Sequence, residues 1–265
     1  MSIVTLLTDF GTADYFVGAM KGAILSADPS AQLVDITHDI PPHDIEAAAF
    51  TLLAAFESFP AGTVHLAVVD PGVGSERRPI AIESREHLFV GPDNGVFGHV
   101  YERLKNFRVF HLTNDDYFRR DVSTTFHGRD IFAPVAGALS RGVPADALGP
   151  PVTDAVRLAL AAPRRLDDGT LEASVIHIDR FGNLITNITP RDLPDEAIHR
   201  GARLRIGERD IKSFRHFFAE DDAAAGEPFA IWGSAGLLEI AVYRDSAARL
   251  LDARRGQKII VNGKS

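Results

Sequence analysis

Val68-Val69-Asp70-Pro71-Gly72-Val73-Gly74-Ser75-Glu76-Arg77-Arg78 is the stretch that decides how this chain is organised, because it marks the abrupt end of an apolar run. That run, Leu66 to Val69, is typical of a buried strand, and Pro71 ends it. Gly72 and Gly74 let the backbone turn through conformations that other residues resist. The stretch therefore predicts a carboxylate and two guanidinium groups at the carboxyl end of a strand, where open α/β sheets bind ligands.

Two further segments have the same design. They are Leu6-Leu7-Thr8-Asp9-Phe10-Gly11 and Phe89-Val90-Gly91-Pro92-Asp93-Asn94-Gly95, and they add Asp9, Asp93 and Asn94 as candidate binding residues. Asp, Asn, Gly and Pro are also favoured in turns for local backbone reasons, so one such segment alone would indicate an ordinary turn. Three of them together favour a shared ligand site.

Composition narrows the possible functions. With 265 residues, 45% hydrophobic and 24% charged, the chain is typical of a globular protein with a substantial core. The formal net charge of -8 argues against broad nucleic-acid binding, and the lack of cysteine removes disulfides, thiolate metal ligands and cysteine nucleophiles. Because the N-terminus enters a strand directly and no apolar run approaches about 20 residues, we expect a cytoplasmic protein without a membrane partner.

The pattern of apolar runs changes along the chain. Residues 1–160 alternate predicted strands with helices over 15–27, 44–59 and 131–140, which indicates a mostly parallel sheet flanked by helices. Residues 170–265 instead contain short strands and one helix, 246–253, for which Ser246 is the candidate N-cap, as Asp44 is for the helix over 44–59. The sequence thus predicts an α/β fold whose N-terminal domain is followed by a smaller, β-rich, barrel-like domain. The strands are predicted at 3–7, 32–36, 63–69, 79–83, 87–90, 172–179, 184–188, 203–206, 229–232, 237–243 and 257–261.

Asp9 ends the first strand, and a carboxylate in that position can accept two hydrogen bonds from a ribose diol. The alternative is a local turn that stabilises Phe10-Gly11. Neither G-x-G-x-x-G after the first strand nor G-x-x-x-x-G-K-[ST] occurs, so a nucleoside without phosphates fits better than a dinucleotide or ATP.

Histidines provide two further candidates. His127 precedes a predicted helix and is a possible proton-transfer group, although most of the ten histidines must be structural. His38, Asp39, His43 and Asp44 offer imidazole and carboxylate ligands for a metal, but H-E-x-x-H is absent and two prolines between the histidines indicate a rigid structural loop.

The second domain carries two polar turns. Asp179, Phe181 and Asn183 combine a carboxylate, a ring and an amide that can stack on and hydrogen-bond a base. The glycine-rich turn around Ser234 has backbone groups and a hydroxyl suited to an amino-acid head group. A simple hairpin is the alternative for each.

Taken together, these segments resemble the S-adenosylmethionine (SAM) hydrolase, or SAM hydroxide adenosyltransferase, family, which is related to fluorinase and chlorinase enzymes that use the same substrate. The resemblance spans nearly the whole chain. Its carriers are Thr8-Asp9-Phe10-Gly11, Asp35-Ile36-Thr37-His38, Val69-Asp70-Pro71-Gly72-Val73-Gly74, Gly91-Pro92-Asp93-Asn94-Gly95, His127-Gly128-Arg129-Asp130, Asp179-Arg180-Phe181-Gly182-Asn183 and Gly233-Ser234-Ala235-Gly236.

The resemblance implies specific roles. Asp70, Arg77 and His127 match the hydrolytic Asp-Arg-His triad of the family, with Arg78 as a competing position for the arginine. The matching substrate-binding positions are Asp9 for the ribose, His43 where the halogenases carry a tryptophan, Asp93 and Asn94 at the third strand end, and Asp179, Phe181, Asn183 and Ser234 in the second domain. The resemblance also implies a homotrimer with sites at subunit interfaces, and no metal or cofactor.

We therefore expect hydrolysis of S-adenosyl-L-methionine to adenosine and L-methionine, by in-line attack of water or hydroxide at the ribose 5′-carbon. A halogenase-like enzyme is the first alternative, but its halide pocket has an uncharged residue where Asp70 stands, and a carboxylate would repel the anion. The others are a non-catalytic adenosine or SAM-binding protein, and a metal-dependent hydrolase that uses His38, His43 and Asp93.

Overall fold

The structure is a computed structural model, and it describes residues 2–220 and 226–262. The chain divides into two compact units, Met1–Ala159 and Leu160–Ser265. The elements of the first unit are β1 (Ile3–Thr8), α1 (Phe16–Ala27), β2 (Gln32–Thr37), α2 (Ile45–Phe56), β3 (Thr63–Val68), β4 (Pro79–Glu83), β5 (His87–Pro92), α3 (Gly98–Arg103), β6 (Arg108–His111), a 3-10 turn (Asp115–Tyr117), a π-helix (Gly128–Phe132), α4 (Ala133–Ser140), a second 3-10 turn (Ala145–Leu148) and β7 (Pro151–Val152).

One seven-stranded sheet forms the centre of this unit, in the order β2-β1-β3-β5-β4-β6-β7. The first four strands of that order are parallel, whereas β4, β6 and β7 run antiparallel to their neighbours and make the sheet mixed. The chain moves from β1 to β2 on one side and then back past β1 to β3 on the other. Strands are therefore added on one side of β1 first and then on the other, and the carboxyl ends of β1 and β3 border the crevice that this change of direction creates.

Helices cover both faces of the sheet because its central strands are apolar on both sides. Along β1, Leu6 packs in a core with Met20 of α1 and residues of α4, and Leu7 packs on the opposite face with Leu52 of α2. Every residue of β3 is buried, as expected for a parallel strand between two helical layers. A rigid central strand thus carries the segment that begins at Asp70.

Local signals set where the helices begin. Asp44 caps α2, as predicted, by accepting a hydrogen bond of 2.9 Å from the amide of Ala47. The helix predicted over 131–140 instead begins with a π-turn at Gly128. Pro134 has no amide hydrogen to donate to the Asp130 carbonyl, which accepts a bond of 2.9 Å from the amide of Arg119.

The second unit is a nine-stranded curled sheet. The path is β12-β11-β16-β9-β10-β15-β14-β13, with β8 beside β9, and all pairs are antiparallel except β13 with β14. Its elements are β8 (Arg164–Arg165), β9 (Leu171–Ile178), β10 (Leu184–Thr186), α5 (Asp195–His199), β11 (Arg203–Ile206), β12 (Arg209–Ile211), β13 (Phe214–Arg215), β14 (Pro228–Trp232), β15 (Leu238–Val242), α6 (Ala247–Leu250) and β16 (Lys258–Asn262).

The predicted α/β fold class is confirmed, with a first part built on a sheet whose β2-β1-β3-β5 half is parallel, followed by a β-rich, barrel-like part. Ser246 caps α6, as predicted, by accepting a bond of 3.1 Å from the amide of Arg249. The sequence did not predict β6, α3 or α5, which are short and lack a clear period. Within residues 2–220 and 226–262, no helix is long and apolar enough to cross a membrane.

Candidate active site

Asp70, Arg77 and His127 form one hydrogen-bonded group in the N-terminal unit. Arg77 Nε lies 2.9 Å from Asp70 Oδ1 and 3.0 Å from Oδ2, and its Nη2 contacts Oδ2 as well. The same Nη2 lies 2.8 Å from His127 Nδ1. The Asp70 and Arg77 side chains are only 4% and 9% exposed. The buried Arg77 therefore joins Asp70 of its own loop to the sequence-distant His127, and it holds Asp70 in the fork geometry that makes such pairs strong.

The chain builds this group from two loops that approach closely. The loop after β3 carries Asp70 and Arg77, and at Gly74 it takes a φ of +78°. A Cβ at Gly74 would lie 2.4 Å from the carbonyl oxygen of Thr124, in the segment that leads to His127. Glycine is required there for both the backbone conformation and the approach of the two loops.

His127 has a defined hydrogen-bonding role in this arrangement. An arginine only donates, so His127 Nδ1 accepts from Arg77, and the hydrogen of the neutral ring is on Nε2. Burial first, and the Arg77 charge second, hold the pKa of His127 below its ordinary value of 6.5. The lone pair that would accept a proton is already used by Arg77. His127 can therefore act as a base only after that bond opens.

Arg78, the competing position for the arginine, has other partners. Its Nε and Nη2 lie 3.0 and 2.7 Å from Asp93 Oδ2, and its Nη1 lies 2.7 Å from Asp154 Oδ1. These bonds, with Asp154 as the first cause, raise the pKa of Arg78 above its ordinary value. The structure therefore assigns the contacts with Asp70 and His127 to Arg77.

Asp93 and Asn94, expected among the binding residues, are engaged with the scaffold. The Asp93 side chain is 3% exposed, and its Oδ1 accepts a bond of 2.8 Å from the amide of Val156 in addition to the Arg78 contacts at Oδ2. Asn94 donates to the carbonyl of Val69 at 2.8 Å and accepts from the amide of Val96 at 3.2 Å. Asn94 thereby fixes the peptide that leads into Asp70.

Asp9 follows β1 and faces the segment that contains His43. Its Oδ2 accepts a bond of 2.8 Å from the His43 amide, and its Oδ1 accepts none from the described residues. His43 is exposed and has a φ of +68°, a conformation that costs energy for a residue with a Cβ. The structure thus brings Asp9 and His43 together and leaves one carboxylate oxygen available.

The proposed metal ligands do not converge. His38 is buried against Thr8, Asp93 is bound by Arg78, and His43 meets Asp9 through its backbone. In the part of the chain that the structure describes, no three His, Cys, Asp or Glu side chains form a group that could hold a metal ion.

In the C-terminal unit, Asp179 organises the turn after β9. Its Oδ1 accepts from the amides of Phe181 and Asn183 at 2.9 and 2.8 Å, and its Oδ2 accepts from Asn183 Nδ2 at 2.8 Å. Gly182 has a φ of +84°, and a Cβ there would lie 2.0 Å from Ser246 Oγ. This packing leaves the Phe181 ring 76% exposed, which makes it available to stack on a planar group.

A cleft of about 880 Å³ lies beside this turn. Asp179, Phe181 and Asn183 line it, together with residues that the sequence did not predict: Phe218, Tyr243, Arg244 and Arg249. The adjacent Phe217 and Phe218 were a signal that could have been noticed, whereas Tyr243 and Arg249 reach the cleft through the β14-β15 hairpin and α6. Ser234 does not line the cleft; it is exposed in the turn that follows β14.

A second cleft, of about 870 Å³, lies between α1 and α4 in the N-terminal unit. Arg119, Arg129 and Arg141 are among its lining residues, but none of the predicted site residues is. Arg129 and Arg119 are both paired with the buried Asp130, and Arg141 donates to the carbonyl of Ala27. This second cleft therefore contributes nothing to the Asp70-Arg77-His127 group.

Comparison with known protein families agrees with the geometry in both units. The N-terminal domain model of SAM hydroxide adenosyltransferase matches residues 4–149, and the C-terminal domain model matches residues 173–260. The chain belongs to the SAM hydroxide adenosyltransferase family. The matched regions include every site residue predicted from the sequence, from Asp9 to Ser234.

Relatives of this SAM hydroxide adenosyltransferase family member have informative names. An "(R)-S-adenosyl-L-methionine hydrolase" of Salinispora tropica is 40% identical over 97% of both chains, and one of Thermus thermophilus is 38% identical over 98% of this chain and 99% of the relative. A fluorinase of Actinoplanes is more distant, at 27% identity over 90% of each. A solved structure of an uncharacterised Thermotoga maritima protein superposes with a TM-score of 0.89 at 34% identity, covering 97% of this chain and 99% of that one.

Proposed function

We propose that this chain hydrolyses S-adenosyl-L-methionine to adenosine and L-methionine, with Asp70, Arg77 and His127 at the reacting centre. The observation that carries the proposal is the buried Asp70 carboxylate held by the Arg77 fork, in a chain 40% identical to a named hydrolase. A negative charge at that point favours a neutral water molecule over a halide ion, because an anion beside the carboxylate would be repelled.

This displacement requires mainly that water and substrate are held in the correct relative position. Oxygen bonds to the ribose 5′-carbon as the carbon–sulfur bond breaks, its electron pair stays on sulfur, and one proton is released. The sulfonium leaves as a neutral thioether, so no general acid is needed. Holding water in line with the breaking bond in a site with little solvent is the main catalytic task.

Two groups in the structure suit that task. The Asp70 carboxylate retains acceptor capacity beyond its bonds to Arg77 and would accept a hydrogen from the attacking water. Arg77 Nη1 is buried and has no hydrogen-bond partner among the described residues, so it would donate to the oxygen of water or hydroxide. The neutral His127 holds Nη2 of the same arginine, and through that contact it would orient Nη1.

Substrate binding is assigned to residues of both units. Asp9 would accept from the ribose diol through its unpaired Oδ1, and the exposed His43 side chain beside it would border the ribose. Phe181 and Asn183 would bind the adenine, and Asp179 and Ser234 the methionine head group. Asp93 and Asn94, whose polar atoms are engaged internally, would act as supports of Arg78 and of the peptide before Asp70.

Assembly and location extend the proposal. The family resemblance supports a homotrimer in which the N-terminal unit of one subunit and the C-terminal unit of another share each substrate, and the cytoplasm is the compartment in which SAM would be met. Light scattering on the purified protein tests the trimer, and a monomer that turns over SAM at nanomolar enzyme concentration would refute it.

The test of function is product analysis. Purified protein is incubated with the R and S epimers at sulfur of SAM, with and without chloride, and the products are separated against Asp70→Asn and His127→Ala variants. Adenosine and methionine formed without halide, and lost in the variants, are the expected result. A chlorinated nucleoside would instead indicate a halogenase, and binding without any product would indicate a binding protein.

A further inference from the structure

A series of four polar side chains, two of them buried, lies beside the Asp9 segment and has no part in the chemistry described above. Thr8 is fully buried and His38 is 5% exposed. Thr8 Oγ1 lies 2.8 Å from His38 Nδ1, and His38 Nε2 lies 3.1 Å from Asp35 Oδ1. Lys21 Nζ donates to the other oxygen of Asp35 at 2.7 Å. This series connects α1 and the ends of β1 and β2.

The direction of these contacts follows from the chemistry of the groups. The Asp35 carboxylate only accepts, so the His38 tautomer with its hydrogen on Nε2 suits this contact, although the two atoms are not aligned as a hydrogen bond. His38 Nδ1 then accepts from the Thr8 hydroxyl. The lone pairs of that hydroxyl remain for a donor, and the amide of Phe10 lies 3.3 Å away.

These contacts act on the backbone of Asp9 from both strand ends. Phe10 N belongs to the peptide bond that follows Asp9, and Thr8 Oγ1 accepts from it. The next amide, Gly11 N, donates to the backbone carbonyl of His38 at 2.8 Å. One histidine therefore holds the segment after Asp9 through its ring and its carbonyl, while the Asp9 side chain is held by the amide of His43.

We propose that His38 and Thr8 are positioning residues that aim the unpaired Oδ1 of Asp9 at the vicinal diol of the ribose. The inference rests on the proposed role of Asp9 as the ribose-binding residue. A carboxylate that must meet two hydroxyl groups tolerates little rotation, and buried partners behind a binding residue supply that restraint. Asp35 and Lys21 would set the ring orientation of His38 from the β2 side.

The measurement is discrimination between adenosine and 2′,3′-dideoxyadenosine, which lacks both hydroxyls, by titration calorimetry at neutral pH. Wild-type protein should bind adenosine about tenfold or more tightly than the dideoxy analogue, and Asp9→Ala should abolish that ratio. Thr8→Val, which replaces the hydroxyl with a methyl of similar size, should reduce the ratio about three- to tenfold. Thr8→Ser should restore it.

The same strand offers a matched control. Thr5 Oγ1 also lies 2.8 Å from a buried histidine, at His65 Nδ1, so Thr5→Val removes an equivalent buried Thr–His bond away from Asp9. It should lower stability as Thr8→Val does but leave the ratio unchanged. At position 38, Asn keeps a polar group near the place of Nδ1 and should preserve more of the ratio than Gln.

The possible outcomes distinguish the positioning role of His38 and Thr8 from the ribose-binding role of Asp9. If Asp9→Ala abolishes discrimination while folded Thr8→Val and His38→Gln both keep the wild-type ratio, positioning by His38 and Thr8 is refuted and Asp9 stands. An equal loss in Thr5→Val and Thr8→Val would show a general stability effect and also refute it. If wild-type protein hydrolyses SAM but binds adenosine and 2′,3′-dideoxyadenosine equally, the ribose-binding role of Asp9 is refuted, and the positioning role of His38 and Thr8 is refuted with it.

Discussion

Replacing Arg77 and Arg78 in turn by lysine separates two adjacent residues of the same type. Lysine keeps the positive charge but loses the planar fork, so Arg77→Lys can retain one contact with Asp70 but not the second contact or the bond to His127. Arg78→Lys instead alters the pairing with Asp93 and Asp154. The first change should act on turnover and the second on stability.

The magnitudes follow from burial and contacts. A hydrogen bond to a charged group contributes about 1.5–3 kcal/mol. Arg77→Lys loses two such bonds, one to Asp70 and one to His127, and the lysine ammonium recovers part of their free energy. We therefore expect a net loss of about 2–4 kcal/mol at this site. If the transition state needs that geometry, kcat/KM should fall about 30- to 900-fold. Arg78→Lys should lower the free energy of unfolding by about 1–2 kcal/mol through the buried Asp93 contact, with kcat/KM within about threefold.

The assay combines initial rates of adenosine formation with urea denaturation of the same preparations. Circular dichroism establishes that both variants fold before their rates are compared. The reasoning fails if Arg78→Lys loses more kcat/KM than Arg77→Lys while both remain folded, since the arginine that matters to chemistry would then be the one paired with Asp93. Equal losses in both variants would show that the loop acts as one unit.

Three further predictions concern pH and backbone packing. The buried His65 has its pKa lowered to about 3 from 6.5, with burial as the first cause and His87 as the second, so the unfolded chain binds more protons between those values. The contribution of this group to stability should be full well above pH 6.5 and about 3 kcal/mol lower at pH 4.5, measured by urea denaturation, and a folded His65→Gln variant should lose that slope. His127 has its pKa held below 6.5 by burial first and by the Arg77 charge second, so kcat/KM should fall on acidification with a midpoint below pH 6.5, measured from initial rates. A midpoint above 6.5 in wild type that disappears in Arg77→Lys would contradict the assignment. A Cβ added by Gly182→Ala would lie 2.0 Å from Ser246 Oγ, whereas one added by Gly236→Ala would have no atom within 4 Å at a similar positive φ. Gly182→Ala should weaken adenosine binding at least tenfold in titration calorimetry, and Gly236→Ala should leave it within threefold. Equal effects would show that backbone conformation alone is responsible.

The fold class could be predicted from the sequence because its indicators, long apolar runs and helix-capping residues, are encoded locally in the chain. The buried strand before Asp70 and the caps at Asp44 and Ser246 are local features, and the structure confirms the two caps. Short elements such as α3 and β6 were missed because tertiary packing, rather than periodicity, stabilises them. The cleft residues Phe218 and Tyr243 were missed because only the folded sheet brings them beside Phe181.

Strand pairing explains what the sequence left open at Arg77 and Arg78. Successive side chains of an extended segment point to opposite sides, so neighbouring arginines there are directed toward different partners. β4 pairs with β5 so that Pro79 lies opposite Pro92, and the amide of Asp93 donates to the carbonyl of Arg78 at 2.9 Å. That register puts Arg78 against Asp93 and turns Arg77 toward Asp70. The choice depends on the alignment of two strands and cannot be read from the Arg-Arg pair itself.

The three similar strand ends have different positions in the sheet, and position explains their different surroundings. Asp9 and Asp70 follow β1 and β3, which are adjacent where strand order reverses, so both carboxylates border the crevice. Asp93 follows β5, and the antiparallel return of β4 brings Arg78 across its side chain and buries it. A carboxylate, a turn and a glycine at a strand end are therefore available to a ligand only when no antiparallel neighbour covers them, as at Asp9 and Asp70, whereas the same motif at Asp93 binds the scaffold.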